Sequence, residues 1–228
     1  MKQAKTIFLC ISLLLLTGCD TAVEYLFCRP GVELVRAEKA QEGIESLTSC
    51  LKVSFVESKQ RAYYLRARAW GHYSLGNFQL AVTDQKTAND LHTPVEHGDF
   101  INYALYLRKA GKVEESLKPL FNAERLDEAS GHPSMMTQYH LGWSLYELER
   151  YDEAIAAFSK GIPAQSDYPF VFFRRGLAYD KIGAIELARA DFEKFVSLRE
   201  NQNMPYPESF LSELQKVIQK YEVLQNES

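Results

Sequence analysis

The sequence lacks the excess of positive charge that nucleic-acid-binding proteins usually carry. Lysine and arginine together number 26, against 30 aspartate and glutamate residues, and the formal net charge is −4. Its 228 residues contain no basic run and no low-complexity tract. The composition therefore gives no electrostatic footprint for nucleic acid and does not resemble that of a disordered chain.

The motifs that identify common enzyme classes are also missing. The sequence has no His-Glu-x-x-His, no phosphate-binding loop, no Gly-x-Ser-x-Gly and no Cys-x-x-Cys. Asp90, His92, Glu96 and His97 lie close together and have the right chemistry for a metal, but their spacing matches no known site. We therefore expect no enzyme, no metal and no other cofactor, and keep a hydrolase built on this cluster as an alternative.

The first nineteen residues differ from the rest. Lys2 and Lys5 precede an apolar run from Ile7 to Leu16, and small residues follow. This order is typical of a secretory signal peptide, and the run is too short to span a bilayer. We predict a signal peptide over residues 1–18.

The end of this segment, Leu16-Thr17-Gly18-Cys19, resembles the lipobox of bacterial lipoproteins. The resemblance implies cleavage before Cys19 and attachment of acyl chains to it, so that residues 19–30 form a lipid-anchored linker. Asp20 resembles the signal that retains lipoproteins at the periplasmic face of the inner membrane, with the outer membrane as the alternative. An ordinary signal peptide with a chance cysteine is the competing interpretation.

Two cysteines remain in the exported domain. Cys28 and Cys50 would lie in a compartment that permits disulfides. They form either one bridge or two independent thiols, because the sequence does not give the distance between them.

The remainder of the chain contains an internal repeat. Residues 75–81 and 182–188 both read apolar, Gly, x, apolar, x, Leu, Ala, and residues 112–117 and 151–158 follow the same frame. The small residue of the frame is Ala81, Ser116, Ala154 and Ala188, at spacings of 35, 38 and 34.

This period and pattern resemble the tetratricopeptide repeat, a helix–turn–helix unit of 34 residues. The resemblance implies an all-α fold, a right-handed α-solenoid of helix hairpins, with four units at 62–95, 97–130, 135–168 and 169–202. Arg68, His72 and Gln85 depart from it where apolar residues are expected, and Glu149 stands where the other units have a turn glycine. Residues 31–61 read as a helical hairpin that is a cap or a degenerate repeat. Residues 205–228 read as a capping helix and tail, since Pro207 suits a first helical position.

Repeat arrays of this kind present an extended concave surface. Both tryptophans, Trp70 and Trp143, fall at the same position of it, and aromatic and arginine side chains surround them. Such residues favour binding, but aromatic stripes also arise from packing alone. The predicted groove consists of Tyr63, Arg66, Trp70, Tyr73, Arg108, Tyr139, Trp143, Tyr146, Phe170, Phe173 and Arg174.

These patterns predict a membrane-anchored periplasmic adaptor that holds a protein or peptide partner of the cell envelope in its groove. Its basic residues favour an acidic or C-terminal segment of the partner. The alternative is an immunity or inhibitor lipoprotein that neutralises a toxin acting in the periplasm. The sequence does not predict an oligomeric state.

Overall fold

The structure, a computed structural model, describes residues 28–52, 57–200 and 208–221. The predicted signal peptide, Cys19, most of the linker, and the residues around Pro205 and Pro207 lie outside this part of the chain. In the part that is described, every regular element is helical and no strand occurs. The all-α prediction is confirmed.

The described chain divides into two compact units, with the boundary between Lys112 and Val113. The boundary falls inside the second predicted repeat, so each unit is described by itself. In neither unit do the described residues form a helix long and apolar enough to cross a membrane. The first unit contains helices α1 (Arg29–Arg36), α2 (Ala40–Leu51), α3 (Ser58–Ser74), α4 (Phe78–Leu91) and α5 (His97–Lys109).

The part of the second unit that the structure describes contains six helices and a short 3₁₀ turn, Ile162–Ala164. Local signals start two of these helices. The Ser134 hydroxyl accepts a hydrogen bond from the backbone N–H of Thr137, and Pro169 is the first residue of its helix. The helices are α6 (Val113–Ser130), α7 (Met135–Glu147), α8 (Tyr151–Gly161), α9 (Pro169–Lys181), α10 (Ile185–Glu200) and α11 (Glu208–Tyr221).

Small residues allow the two helices of a hairpin to approach closely. A Cβ atom built on Gly142 of α7 would lie 2.6 Å from the ring of Phe158 on α8. One built on Gly176 of α9 would lie 2.8 Å from the ring of Phe192 on α10. In these two hairpins each glycine makes room for an aromatic ring of the second helix.

The N-terminal hairpin, α1 with α2, follows the same principle. A Cβ on Gly31 would lie 2.7 Å from the Leu47 side chain, and one on Gly43 would lie 2.9 Å from the Gly31 carbonyl oxygen. In this hairpin the two glycines face each other. Cys28 and Cys50 are joined by a disulfide, and both are fully buried in the core of this hairpin.

The turns between paired helices share one backbone conformation. Gly76 and Gly183 both have φ of +76°, in the left-handed region that glycine adopts without steric cost. Glu149 stands at the same place in the hairpin of α7 and α8 and adopts a φ of +61°. The departure seen in the sequence therefore leaves the turn geometry intact.

Arg68, which departs from the apolar pattern of the repeat, is explained by a polar contact between the helices of its hairpin. Two of its guanidinium nitrogens donate to the carboxylate of Asp84, each at 2.7 Å, and the third donates to the Thr48 hydroxyl at 3.1 Å. The Asp84 side chain is nearly buried, so this charge is neutralised where water has little access.

The last hairpin repeats this arrangement. Arg175 donates to Asp191 at 2.7 and 2.8 Å and to the Ser159 hydroxyl at 2.9 Å. In both hairpins the arginine precedes its aspartate by 16 residues. We call the two arrangements the Arg–Asp clasps.

Helix α11 packs on the last hairpin, which confirms the predicted capping helix. The rings of Phe210 and Phe173 have centroids 4.8 Å apart, and those of Tyr221 and Phe192 lie 5.0 Å apart. The guanidinium of Arg189 donates to the backbone carbonyl of Tyr221 at 2.6 Å. Helix α11 is thus attached near both of its described ends.

Candidate surfaces of the two helical units

The predicted groove residues divide between the two units. In the first unit, Tyr63, Arg66, Trp70 and Tyr73 follow one another along one side of α3, at helical spacing. Tyr63 and Trp70 are 45% and 46% exposed, high values for large rings. These four residues are called the α3 surface below.

The indole of Trp70 is exposed but supported from below. It stacks on the ring of Tyr73 with centroids 5.3 Å apart, and Tyr73 in turn contacts the buried ring of Tyr106 at the same separation. Burial raises the pKa of Tyr73, although the charge of Arg108 acts in the opposite direction. The ring column holds Trp70 in one orientation while leaving nearly half of it in contact with water.

The two arginines predicted for this part of the groove are largely buried. Arg66 forms an ion pair of 2.6 Å with Asp99, and the side chain of Asp99 is almost buried. Arg108 is only 4% exposed. The exposed part of the α3 surface is therefore aromatic, and these two cations lie largely beneath it.

A cleft that the sequence did not predict lies beside Tyr63. It has a volume of about 690 Å³ and runs between α1 and α3. The hydroxyl of Tyr63 accepts a hydrogen bond from Arg36 at 3.3 Å, which orients the ring at the edge of this cleft. The lining residues are Arg29, Val32, Glu33, Lys59, Gln60, Tyr63 and Tyr64.

In the second unit, two of the predicted groove residues belong to the core. Phe173 is completely buried and Tyr139 is 5% exposed. Phe210 of α11 covers Phe173, and the ring of Tyr168 packs edge-on against Tyr139 at 5.2 Å. For these two residues the packing interpretation is correct, and they cannot line an open surface. Phe170 is half-buried for the same reason, because Phe210 lies 5.4 Å from it.

The other predicted residues of the second unit surround Arg174. Its guanidinium carbon lies 4.1 Å from the centroid of the Trp143 ring, a cation–π contact. Glu213 of α11 approaches the same guanidinium at 3.3 Å. Burial raises the pKa of the half-buried Tyr146; Tyr151 and Glu213 add to the rise, while Arg174 opposes it. Trp143, Tyr146, Arg174 and Glu213 are called the α9 surface below.

Glu213 is the member of this surface that sequence reasoning missed. It lies 39 residues beyond Arg174, on a helix assigned only a capping role. One sequence signal was present, since Glu213 follows Phe210 by three residues, a spacing that puts both on one side of a helix. The Arg–Asp clasps were missed as well, although their common separation of 16 residues could have pointed to them.

Asp90, His92, Glu96 and His97, the residues with metal-ligand chemistry, lie at the end of α4, in the loop that follows it and at the start of α5. Among the residues that the structure describes, no group of three or more histidine, cysteine, aspartate or glutamate side chains is arranged to hold a metal ion. Asp90 instead forms a surface ion pair with Lys86 at 2.7 Å.

Comparison with known proteins identifies the repeats. The tetratricopeptide repeat family matches residues 137–160 and 171–202, within the third and fourth predicted units. None of the curated proteins compared with the chain matches it. The chain therefore contains tetratricopeptide repeats, and in the remaining hairpins the assignment rests on structural likeness.

Solved structures share this fold at low sequence identity. A crystal structure of MamA is 17% identical, with a TM-score of 0.64 over 82% of this chain and 97% of that one. A MamA fragment from Desulfovibrio magneticus RS-1 is 18% identical, with a TM-score of 0.67 over 80% of this chain and 98% of that one. YrrB, described as a tetratricopeptide-repeat protein with an unusual peptide-binding site, is 15% identical, with a TM-score of 0.61 over 77% and 86% of the two chains. At these identities the likeness establishes the fold alone, and the predicted class of tetratricopeptide-repeat hairpins is confirmed.

Proposed function

We propose that this protein is a membrane-anchored scaffold of the bacterial envelope that binds a segment of a partner protein and catalyses no reaction. The observation that carries the proposal is the α3 surface, where Trp70 is 46% exposed yet held in place by Tyr73. The tetratricopeptide-repeat fold supports it, and YrrB provides a precedent for peptide binding on this fold.

The physical argument concerns what an exposed, rigid indole does best. Large aromatic side chains exposed side by side leave apolar area in water that a partner can cover. Because Trp70 is already stacked on Tyr73, little side-chain entropy is lost when a partner orders it. Tyr63, 45% exposed and about two helical turns before Trp70, extends the surface toward the cleft beside α1. A partner segment can lie across both rings.

The membrane anchor is part of the proposal and rests on the resemblance of residues 16–19 to a lipobox. Two or more acyl chains on Cys19 give stable attachment to a bilayer, whereas a single chain gives only reversible binding. Asp20 favours the periplasmic face of the inner membrane. Growth with labelled palmitate should label the wild type and not Cys19→Ala, and membrane fractionation should distinguish the inner membrane from the outer.

The α3 surface can be tested by capture of partners from envelope extracts. The mature chain would be compared with Tyr63→Ala/Trp70→Ala, and with Leu80→Ala as the matched control. Leu80 lies on α4 of the same unit, is 52% exposed and is not part of the α3 surface. Hot-spot aromatics typically contribute 2 kcal/mol or more to binding, so we expect the double variant to bind its partner about 30-fold more weakly or worse.

Each outcome of the capture experiment supports or excludes part of the proposal. Circular dichroism should show the same helix content in all three chains. Retention of every partner by the double variant would exclude the α3 surface as the binding site. If the wild type captures no partner, the scaffold function itself is wrong. Recovery of a toxin that acts in the periplasm would favour the immunity function over that of an adaptor.

A further inference from the structure

The contact between Arg174 and Glu213 differs from the other arginine–carboxylate contacts among the described residues. Both oxygens of Glu213 lie 3.3 Å from the same guanidinium nitrogen of Arg174. The next residue, Arg175, uses two nitrogens to bind Asp191 at 2.7 and 2.8 Å. Charge-assisted hydrogen bonds are normally about 2.7–2.9 Å long, so the Glu213 contact is a loose one.

Glu213 leaves the guanidinium of Arg174 incompletely paired. The Arg174 side chain is 13% exposed, and its Nε–H is buried with no hydrogen-bond acceptor, so a ligand from solvent would reach only the terminal nitrogens. A planar guanidinium is best matched by a carboxylate that takes two of its N–H groups side by side. Glu213 does not do so, because both of its oxygens approach one nitrogen.

The position of Arg174 on Trp143 favours an anionic ligand. The ring fixes the guanidinium at 4.1 Å and covers one face of it, which leaves the edge of the plane for hydrogen bonding. In such a half-buried place the charge is less screened by water than on an open surface. The Arg174 edge is thus oriented in advance for a carboxylate.

Glu213 can leave without detaching its helix. Its side chain is 39% exposed, whereas α11 is attached by Phe210 and Tyr221 on either side of it. Lys220 adds an ion pair of 2.6 Å with Asp180 near the end of the helix. Rotation of the Glu213 side chain into water therefore opens Arg174 while α11 stays in place.

We propose that Arg174, lying on Trp143, is the binding site for an acidic side chain of the partner segment, and that Glu213 occupies it in the free protein. The proposal rests on the scaffold function and names the chemistry of what is bound. An acidic side chain is the class chosen because Glu213, itself a side-chain carboxylate, shows that this group reaches the site.

The test uses Trp143 as the reporter. Trp70→Phe leaves Trp143 as the single tryptophan of the full mature chain, and its emission would be followed during titration with acetylated, amidated tri-glutamate. Glu213→Gln should bind this probe about two- to fivefold more tightly, the range expected from loss of one weak surface ion pair. Glu193→Gln, which removes another exposed carboxylate of the same unit, should leave binding unchanged.

Two further variants test the arginine. Arg174→Gln should weaken binding at least about tenfold, and Arg174→Lys should restore only part of it, because lysine keeps the charge and loses the planar fork. The tri-glutamine peptide should not bind. A peptide with a free C-terminal carboxylate and no acidic side chain should bind more weakly than tri-glutamate; if it binds more tightly, the choice of an acidic side chain is wrong.

The proposal is overturned if Arg174→Gln keeps its affinity, or if Glu213→Gln and Glu193→Gln bind alike. It is also overturned if tri-glutamate binds none of the chains. These failures are separate from that of the scaffold function. A chain that captures its envelope partner equally well with Arg174→Gln retains its function but uses another site.

Discussion

Replacing Gly142 with alanine tests the packing that brings α7 and α8 together. Alanine normally stabilises the interior of a helix by about 1 kcal/mol relative to glycine. At Gly142 the added Cβ would lie 2.6, 2.7 and 2.9 Å from three ring atoms of Phe158. Phe158 is completely buried and cannot move its ring into solvent. Overpacking of this kind costs about 1–3 kcal/mol, and three such contacts place the cost near the upper end.

The net expectation for Gly142→Ala is a loss of about 1–2 kcal/mol in the free energy of unfolding. The assay is urea unfolding followed by Trp143 fluorescence in a Trp70→Phe background, because Trp143 lies in the same unit. Gly98→Ala is the control, since a Cβ there meets nothing within 4 Å, and it should be neutral or slightly stabilising. Trp70 reports on that unit in a Trp143→Phe background.

A double variant tests whether the contact with Phe158 causes the loss of stability. Gly142→Ala/Phe158→Leu replaces the ring with a smaller side chain, so the two changes together should cost less than the sum of the separate costs. If Gly142→Ala is as stable as the wild type, the close approach of α7 to Phe158 does not depend on the absence of a side chain. Equal stability would also mean that helix packing does not require a small residue at position 142.

Three further predictions concern the polar and covalent contacts of the hairpins. Arg175→Met should lower the free energy of unfolding by about 3 kcal/mol, because it leaves the nearly buried Asp191 without its partner. The double variant Arg175→Met/Asp191→Leu should lose less stability than the single variant. Urea unfolding of the wild type and the two variants measures both differences. His72 has a pKa below its ordinary value of 6.5 because burial disfavours the charged ring; Asp84 opposes this shift and Arg68 adds to it. The unfolded chain therefore binds a proton at higher pH than the folded one, so the contribution of His72 to stability is present above pH 6.5 and is lost as the pH falls through the folded pKa. His72→Phe should accordingly lose less stability than the wild type between pH 7.5 and 5.5, and equal losses would contradict the argument. Reduction of the Cys28–Cys50 disulfide, which joins residues 22 apart, should lower the free energy of unfolding of the first unit by about 3 kcal/mol. Unfolding measured with and without reductant tests this. The Cys28→Ser/Cys50→Ser chain is the control, and reductant should not change its stability.

The helices and their pairing were predictable because their signals are local. Ala154 and Ala188 recur at one repeat length, and the positive φ of Gly76 and Gly183 follows from a turn that must reverse the chain in few residues. Pro207, which suits the first position of a helix, predicted the capping helix in the same way. Each of these inferences needs only the order of residue types along the chain, without knowledge of which helices pack together.

Exposure of the aromatic side chains was not predictable in this way. Trp70 and Trp143 hold the same repeat position, yet Trp70 is 46% exposed and Trp143 lies half-buried beneath Arg174. Phe173 fits the groove pattern as well as Tyr63 does, but Phe210 covers it. Whether a ring is covered depends on a helix elsewhere in the chain, and the repeat pattern does not predict where that helix packs.

By itself, the sequence determined the helical class, the repeat length and the turns between paired helices, because each depends on backbone preferences and residue types that recur along the chain. Only the tertiary structure decided which rings remain exposed, that Arg68 and Arg175 bind buried aspartates, and that Glu213 contacts Arg174 across 39 residues of chain. Burial and charge pairing are properties of the space between elements. They are therefore settled only when helices distant in sequence have packed together.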